Sequence, residues 1–110
     1  MDHAEFASIL DAARAGAAWA WTRLYEDLAG AVRGYVRVRG SREPDDLLGE
    51  VFLQLARNLK GFEGDYPAFR SWVFVVAHHR VVDERRRRDR RREDPVESLP
   101  EGGGPGGAED

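Results

Sequence analysis

Apolar residues recur at intervals of three and four along most of the chain, and this spacing limits the fold more than any other feature. Residues so spaced share one face of an α-helix, so each stripe predicts a helix that buries one side. The chain has no cysteine, which excludes disulfides and thiolate metal sites as sources of stability. Its 110 residues, 42% of them hydrophobic, suit one domain with a modest core. We therefore predict a compact all-α domain held by helix packing.

Four helices follow from the stripes, at about residues 4–15, 17–38, 44–60 and 69–91. Ser41 is expected to cap the third helix, and Pro44 suits a first helical position. Two glycines and a proline in GFEGDYPAF predict an ordered loop over 61–68. The valines near residues 73–76 and 81–82 are the one place where a β-strand is an alternative to the predicted helix. The apolar positions are Phe6, Ile9, Leu10 and Ala13; Trp21, Leu24, Tyr25, Leu28, Val32, Tyr35 and Val36; Leu47, Leu48, Val51, Phe52, Leu55 and Leu59; and Phe69, Trp72, Val73, Val76, Ala77 and Val81.

Charge is unevenly distributed along the chain. The net charge is −3, but residues 93–110 hold six acidic and no basic residues, which leaves +3 for residues 1–92. Residues 80–92 alone carry eight arginines against three acids. A concentration of basic charge at one end of a domain favours a nucleic-acid partner.

The composition changes after Arg92. Residues 93–110 are rich in glycine, proline and acid, which predicts a flexible linker or tail after a domain spanning residues 1–92. No apolar run approaches the roughly 20 residues that cross a bilayer, and the N-terminus lacks the pattern of a signal peptide. We expect a cytoplasmic protein with no membrane partner.

Two long segments carry a family resemblance: DDLLGEVFLQLARNLKGFEG, and after it FRSWVFVVAHHRVVDERRRRDRR. Their sharpest elements are DL-x2-EVFL, the GF-x-G loop, F-x2-W and D-x2-RRR-x-RR. Together they resemble region 2 of the extracytoplasmic-function sigma factors of bacterial RNA polymerase, over roughly residues 6–92. The resemblance implies a four-helix domain that docks on core polymerase and reads the minus-10 element of a promoter.

Docking, as the resemblance implies it, takes place on a coiled coil of the large polymerase subunit through the third helix. Asp46 and Glu50 are four residues apart and share a face that suits arginines of a partner. Asp45 and Arg57 extend this surface. Without the resemblance, a solvated first turn that favours the helix dipole is the better explanation of these acids, and the resemblance shifts the preference to docking. Where relatives commonly have glutamine this chain has Gly49, a costly residue inside a helix, so either the partner backbone approaches closely there or the docking interface is weaker.

Promoter reading in the family unpairs the duplex and captures a base of the non-template strand. This chemistry needs surfaces that stack on bases, groups that read base edges, and arginines on phosphates. For Phe69 and Val76 core packing is the better interpretation, for Trp72 pocket and core are equally open, and Tyr66 is expected to be exposed in the loop. The predicted DNA-binding residues are Phe62, Gly64, Asp65, Tyr66, Trp72, His79, Arg80, Arg86 and Arg87.

His79 departs from the family, which commonly has asparagine there, so it alters or removes a base contact. His78 and His79 point about 100° apart on a helix, and neither has a ligand at the spacing of a zinc site. Asp83 is expected to order Arg80, Arg86 or Arg87 through helical pairs. For the arginines at 85–88 and 90–92 we prefer phosphate contact to a merely solvated helix end.

Alternatives to a promoter-reading domain stay open at this point. We expect none of these 110 residues to form the helix-turn-helix domain that binds the minus-35 element in the family. A degenerate or standalone relative, acting as a docking module for polymerase or an anti-sigma protein, is the main competitor. A helical RNA-binding module is a third hypothesis. No nucleophile with a base, metal spacing or phosphate-cradling loop indicates an enzyme, so no cofactor or small-molecule substrate is expected.

Overall fold

The computed structural model describes residues 1–97, with the side chains of residues 1–92. Its elements are α1 (His3–Arg14), α2 (Ala18–Val38), α3 (Pro44–Asn58), a 3₁₀ turn (Leu59–Gly61) and α4 (Tyr66–Glu97). The prediction of an all-α domain with four helices is confirmed, and the valine-rich segment of α4 is helical. Within residues 1–97, no helix combines the length and the apolar character that crossing a bilayer requires.

Helix α1 forms because Asp2 caps it and one face is apolar. The Asp2 carboxylate accepts a hydrogen bond from the backbone N–H of Glu5 at 2.8 Å. Phe6, Ile9 and Leu10 are buried. The helix is tied to α2 by an ion pair between Glu5 and Arg23, 2.6 Å apart.

Helix α2 is the central element, and it packs against the other three helices. Leu24, Leu28, Val32 and Val36 form its buried stripe, none more than 3% exposed. The predicted aromatic members of the stripe lie at its edges instead. Trp21 and Tyr25 meet Phe52 of α3 edge-on, and Tyr25 is exposed, because rings of this size fit beside the helix contact better than within it.

Helix α3 begins at Pro44, as predicted. The predicted cap is wrong: Glu43 precedes the helix, and no side chain caps its first turn. Ser41 is buried and its hydroxyl donates to Glu84 of α4 at 2.7 Å. The helix ends two residues before the predicted boundary, where Leu59–Gly61 tightens into the 3₁₀ turn.

Helix α4 begins at Tyr66, three residues before the predicted start. Asp65 caps it, accepting a hydrogen bond from the backbone N–H of Ala68 at 3.0 Å. Pro67 lies in the first turn, where a backbone N–H has no partner within the helix, so a proline is tolerated there. The predicted loop therefore ends earlier than its proline indicated. The helix also continues to Glu97, beyond the predicted end at Arg91. The predicted tail falls largely on residues 98–110, which lie outside the described residues.

The helices enclose one core. Tyr66, at the start of α4, is hydrogen-bonded to Asp27 of α2. Phe74, further along α4, packs on Tyr35, which is further along α2, so the two helices run parallel. The short connection over residues 39–43 makes α3 antiparallel to both. Phe69, Val73, Ala77 and Val81 carry the core along α4. This arrangement leaves one face of α3 and one face of α4 exposed.

Candidate nucleic-acid interface and docking surface

Four predicted residues lie along one exposed side of α4. Trp72, His79 and Arg86 are seven residues apart and so recur on the same side of the helix, with Asp83 beside them. His79 and Arg86 are exposed, and Trp72 is half-buried. We call these four residues the α4 strip. An aromatic ring, an imidazole and a guanidinium on one line suit a partner that offers bases and phosphates.

The 62–65 loop lies beside the aromatic end of the α4 strip. The ring of Phe62 stacks on Trp72, with ring centroids 5.2 Å apart and planes 5° from parallel. Phe69 closes this pair edge-on from the core side and is fully buried, as predicted. Phe62 and Trp72 therefore form a partly exposed surface of stacked rings, which we call the aromatic wall.

Gly64 and Asp65 give the loop its shape. Gly64 has a φ of +151°, and a Cβ there would lie 2.9 Å from the Cβ of Ala68 and 3.1 Å from the ring of Phe62. Only glycine fits both the backbone conformation and this space. Asp65 is occupied as the cap of α4. Both residues are exposed, and each has a structural role: Gly64 allows the loop conformation and Asp65 caps α4.

The prediction that Tyr66 is an exposed loop residue is wrong. It is the first residue of α4 and is half-buried, with its ring edge-on to Phe6 at 5.6 Å. Its hydroxyl donates a hydrogen bond to the carboxylate of Asp27. Burial, with a smaller effect of Asp27, raises the pKa of Tyr66. The early start of α4 turns this side chain toward α1 and α2.

Arg80 points toward α3 and away from the α4 strip. Its Nε donates to Gln54 at 2.9 Å, and its Nη1 lies 3.4 Å from Glu50. Its side chain is 28% exposed. A residue predicted to contact DNA and one predicted to contact polymerase are therefore paired with each other.

The arginines of α4 divide into two sets. Arg87 pairs with Asp83, as one of the predicted helical pairs, and Arg92 pairs with Asp89 at 3.1 Å. Arg88 reaches Glu84 at 3.2 Å and the carbonyl of Gly40 at 3.3 Å. Within residues 1–92, no ion pair is formed by the other members of the run, which are exposed: Arg85, Arg86, Arg90 and Arg91.

Glu84 anchors the middle of α4 to the turn between α2 and α3. Its carboxylate accepts hydrogen bonds from the hydroxyl of Ser41 at 2.7 Å and from the backbone N–H of Arg42 at 2.8 Å. Together with Arg88 it forms a half-buried polar cluster. This cluster stabilises the fold and leaves the exposed arginines pointing outward.

The two histidines face different neighbours. Nδ1 of His78 lies 3.3 Å from the hydroxyl of Tyr35 on α2, whereas His79 lies on the α4 strip. Their ring centroids are 6.0 Å apart. Only His79 is therefore placed to meet a ligand bound along the strip.

The outer face of α3 carries Asp46, Glu50 and Arg57, all exposed. Leu53 lies in the middle of this face with 52% of its surface exposed. No atom outside the helix backbone lies within 4 Å of the position that a Cβ on Gly49 would take. Packing within the described chain therefore does not require a glycine there.

Asp45 differs from the other acids of α3, because it pairs with Arg33 of α2. The hydrogen bond and the charge of Arg33 lower the pKa of Asp45. Both side chains are solvent-exposed, so a partner can compete for this carboxylate. The pair was not predicted, since nothing in the local sequence relates residues 33 and 45.

Sequence reasoning missed three residues that shape these surfaces. Leu53 was detectable, because it falls opposite the apolar stripe of α3 on a helical projection. Glu84 and Arg14 were not, since each acts through a contact with a distant segment: Glu84 with residues 41–42, and Arg14 with the carbonyl of Phe62.

The structure is an all-α domain whose arginine-rich last helix lies beside an aromatic loop. These are the features that the resemblance to sigma factor region 2 implies. Residues 21–91 match the family described as Sigma-70 region 2. This match covers more than half of the chain, and the chain belongs to the sigma-70 region 2 family.

A curated relative supports the same family. The chain is 32% identical over 84 residues to the ECF RNA polymerase sigma factor BldN of Streptomyces coelicolor, which covers 74% of this chain and 32% of that protein. The chain thus spans about a third of the length of this relative. No solved structure matches the chain.

Proposed function

We propose that this chain is the part of a sigma factor that docks on core RNA polymerase and recognises and helps to melt the minus-10 element of a promoter. The observation that carries the proposal is the aromatic wall of Phe62 and Trp72, which continues along α4 into His79 and exposed arginines. A stacking surface, a polar group and positive charges, which are the kinds of group that bind single-stranded DNA, therefore lie along one side of the helix.

Docking is assigned to the outer face of α3. Leu53 offers an exposed apolar anchor, and Asp46, Glu50 and Arg57 surround it with charge. An apolar centre within a charged rim is the usual composition of a protein interface. The coiled coil of the large polymerase subunit, with basic side chains toward the two acids, is the partner we propose.

Promoter reading is assigned to the α4 strip and the 62–65 loop. A base lifted out of the stack finds the Phe62–Trp72 wall at one end, and His79 beyond it can donate to or accept from a base edge. The exposed arginines further along α4 suit the phosphates of the non-template strand. Arg80 joins this surface only when it leaves Glu50 and Gln54.

The test is binding of the chain to a library of single-stranded oligonucleotides that carry non-template minus-10 sequences, at two salt concentrations. Trp72→Ala removes half of the aromatic wall, and Arg86→Ala combined with Arg90→Ala removes exposed charge without touching Arg88. We expect sequence preference to be lost with Trp72→Ala, and affinity to fall with a smaller salt dependence in the arginine variant.

Two controls make the test specific. Circular dichroism shows whether Trp72→Ala keeps the helical fold, and His79→Asn restores the residue common in relatives while leaving the wall intact. His79→Asn is expected to change which base is preferred. Salt-sensitive binding without any sequence preference in the unchanged chain would leave only a basic patch and would overturn promoter reading.

Docking is tested separately by co-purification with core polymerase. Asp46→Arg and Leu53→Asp should each abolish the complex, whereas Arg37→Ala, at an exposed position of α2, should not. A chain that binds core polymerase or an anti-sigma protein through α3 but shows no oligonucleotide preference would support the alternative, a docking module.

A further inference from the structure

An arginine ties the 62–65 loop to the end of α1. Arg14, at the end of α1, donates a hydrogen bond from Nη2 to the backbone carbonyl of Phe62, 48 residues away. Phe62 is the residue whose ring stacks on Trp72. The contact therefore joins α1, which precedes the family match at residues 21–91, to the aromatic wall.

The setting of Arg14 is costly for an arginine. Its side chain is 28% exposed, and its Nε atom is buried without a hydrogen-bond partner among the described residues. Its ion-pair partner, Asp11, lies 3.7 Å away and is largely exposed. An arginine that served only the negative end of the α1 dipole would remain in solvent, where all its N–H groups are hydrated. The inward position is explained by the Phe62 carbonyl.

Packing holds the Phe62 ring but leaves the α1 side of the loop open. A groove of about 300 Å³ lies between α1 and the loop residues Glu63 and Gly64. The backbone at Phe62 is extended, with φ −81° and ψ 135°, and it follows the end of the 3₁₀ turn. Its carbonyl is thus free of helical hydrogen bonding, and Arg14 supplies the donor.

We propose that Arg14 is a positioning residue for base selection. By holding the Phe62 carbonyl it fixes the angle at which the Phe62 ring meets Trp72, and so the shape of the wall against which a base is read. This inference rests on the proposed function, and it makes α1 a part of the reading surface. Arg14 itself need not touch DNA.

The test compares Arg14→Gln with Arg14→Lys and with a matched control, Arg23→Gln. Arg23 also ties α1 to the rest of the domain, through Glu5, but it has no contact with the loop. Lysine keeps a charged donor that can reach the carbonyl, whereas glutamine is shorter and neutral. Each variant is first checked for unchanged helical content.

The first readout is hydrogen exchange of the backbone amides of residues 61–65. We expect faster exchange in Arg14→Gln than in Arg23→Gln, with partial recovery in Arg14→Lys. The second readout is the ratio of affinities for the preferred and a scrambled minus-10 oligonucleotide. It should fall by about tenfold in Arg14→Gln, the change that about 1.4 kcal/mol produces, and by less than about twofold in Arg23→Gln.

Several results would overturn the inference. Equal exchange of the loop amides in Arg14→Gln and Arg23→Gln would show that Arg14 does not hold the loop. A loosened loop with an unchanged affinity ratio would show that the loop position does not select the base. In both cases the unchanged chain still prefers its oligonucleotide, so the proposed function survives. If the unchanged chain shows no preference between the minus-10 and the scrambled oligonucleotide, the proposed function is wrong. Base selection by Arg14 is then wrong as well.

Discussion

Tyr66 anchors the start of α4 to α1 and α2. Its hydrogen bond to Asp27 joins the first turn of α4 to α2, while its ring packs on Phe6. Tyr66→Phe keeps the ring and removes the bond, so the free energy of unfolding should fall by about 1 kcal/mol at neutral pH. Urea denaturation of both chains measures this difference.

The same pair predicts a pH dependence. Because burial and Asp27 raise the pKa of Tyr66 in the folded chain, its stabilising effect is fully present below the ordinary tyrosine pKa of about 10 and is lost as pH rises through the folded pKa. The stability difference between the unchanged chain and Tyr66→Phe should therefore shrink in alkali. A difference that stays constant from pH 8 to 12 would contradict this assignment.

Gly49 is a residue that the domain itself does not need. It lies inside α3 with open space at its Cβ position. Gly49→Ala should raise the free energy of unfolding by about 0.5 to 1 kcal/mol, because alanine loses less backbone entropy in a helix. Thermal denaturation measures this gain.

Polymerase binding then separates the two interpretations of Gly49. If a partner backbone approaches closely there, Gly49→Ala weakens the complex despite the more stable domain. If the interface is only weaker at that point, the affinity of Gly49→Ala for core polymerase stays unchanged or improves. A loss of stability on this substitution would contradict the open environment.

At the scale of elements, α4 combines structural and exposed arginines on one helix. Arg88→Ala leaves Glu84 without its ion-pair partner and releases the carbonyl of Gly40, so stability should fall by about 1 kcal/mol or more. Arg86→Ala, two residues away, should leave stability within about 0.5 kcal/mol. Denaturation curves of the two variants give this comparison.

For oligonucleotide binding we expect the opposite order, with a larger loss of affinity in Arg86→Ala than in Arg88→Ala. Arg86→Ala should weaken oligonucleotide binding and reduce its salt slope by about 0.7, the value for one phosphate contact on a single strand. Arg88→Ala, measured where it remains folded, should keep the slope. Equal slopes for all three chains would mean that Arg86 makes no phosphate contact.

At the scale of the whole molecule, the pair of Glu50 and Arg80 connects the docking face to the last helix. The two atoms are 3.4 Å apart and both side chains are partly exposed, so a double-mutant cycle with Glu50→Gln and Arg80→Gln should give a coupling of about 0.2 to 1 kcal/mol in stability. Urea denaturation of the four chains measures it.

Releasing Arg80 should also affect the other surface. In Glu50→Gln the guanidinium loses its ionic partner on α3, so oligonucleotide affinity should rise, and this rise should vanish when Arg80→Gln is added. The control is Asp46→Asn, which removes a carboxylate from the same face but has no contact with Arg80 in the described residues. An equal rise in both single variants would indicate a general charge effect.

The helices themselves were largely readable from the sequence. Apolar spacing located α1, α2 and α3 to within two residues at each end, whereas α4 begins three residues before and ends six residues after its predicted bounds. The same spacing identified Leu24, Val32, Val51 and Val73 as core, because burial of one face is a local property of a helix. The resemblance assigned Phe62, Trp72, His79 and Arg86 to DNA binding. That role stays a prediction, and in the structure the four residues lie on the loop and along one side of α4.

The tertiary structure alone decided which of the polar side chains are free. Arg80 is bound to α3, Asp45 to Arg33 and Tyr66 to Asp27, and Arg14 supports the loop from α1. Each of these contacts joins residues at least 12 positions apart, and a one-dimensional pattern carries no information about such pairs. The sequence determined the helices and their buried faces through local periodicity, whereas packing determined how polar groups pair across helices, because those distances exist only once the helices are assembled.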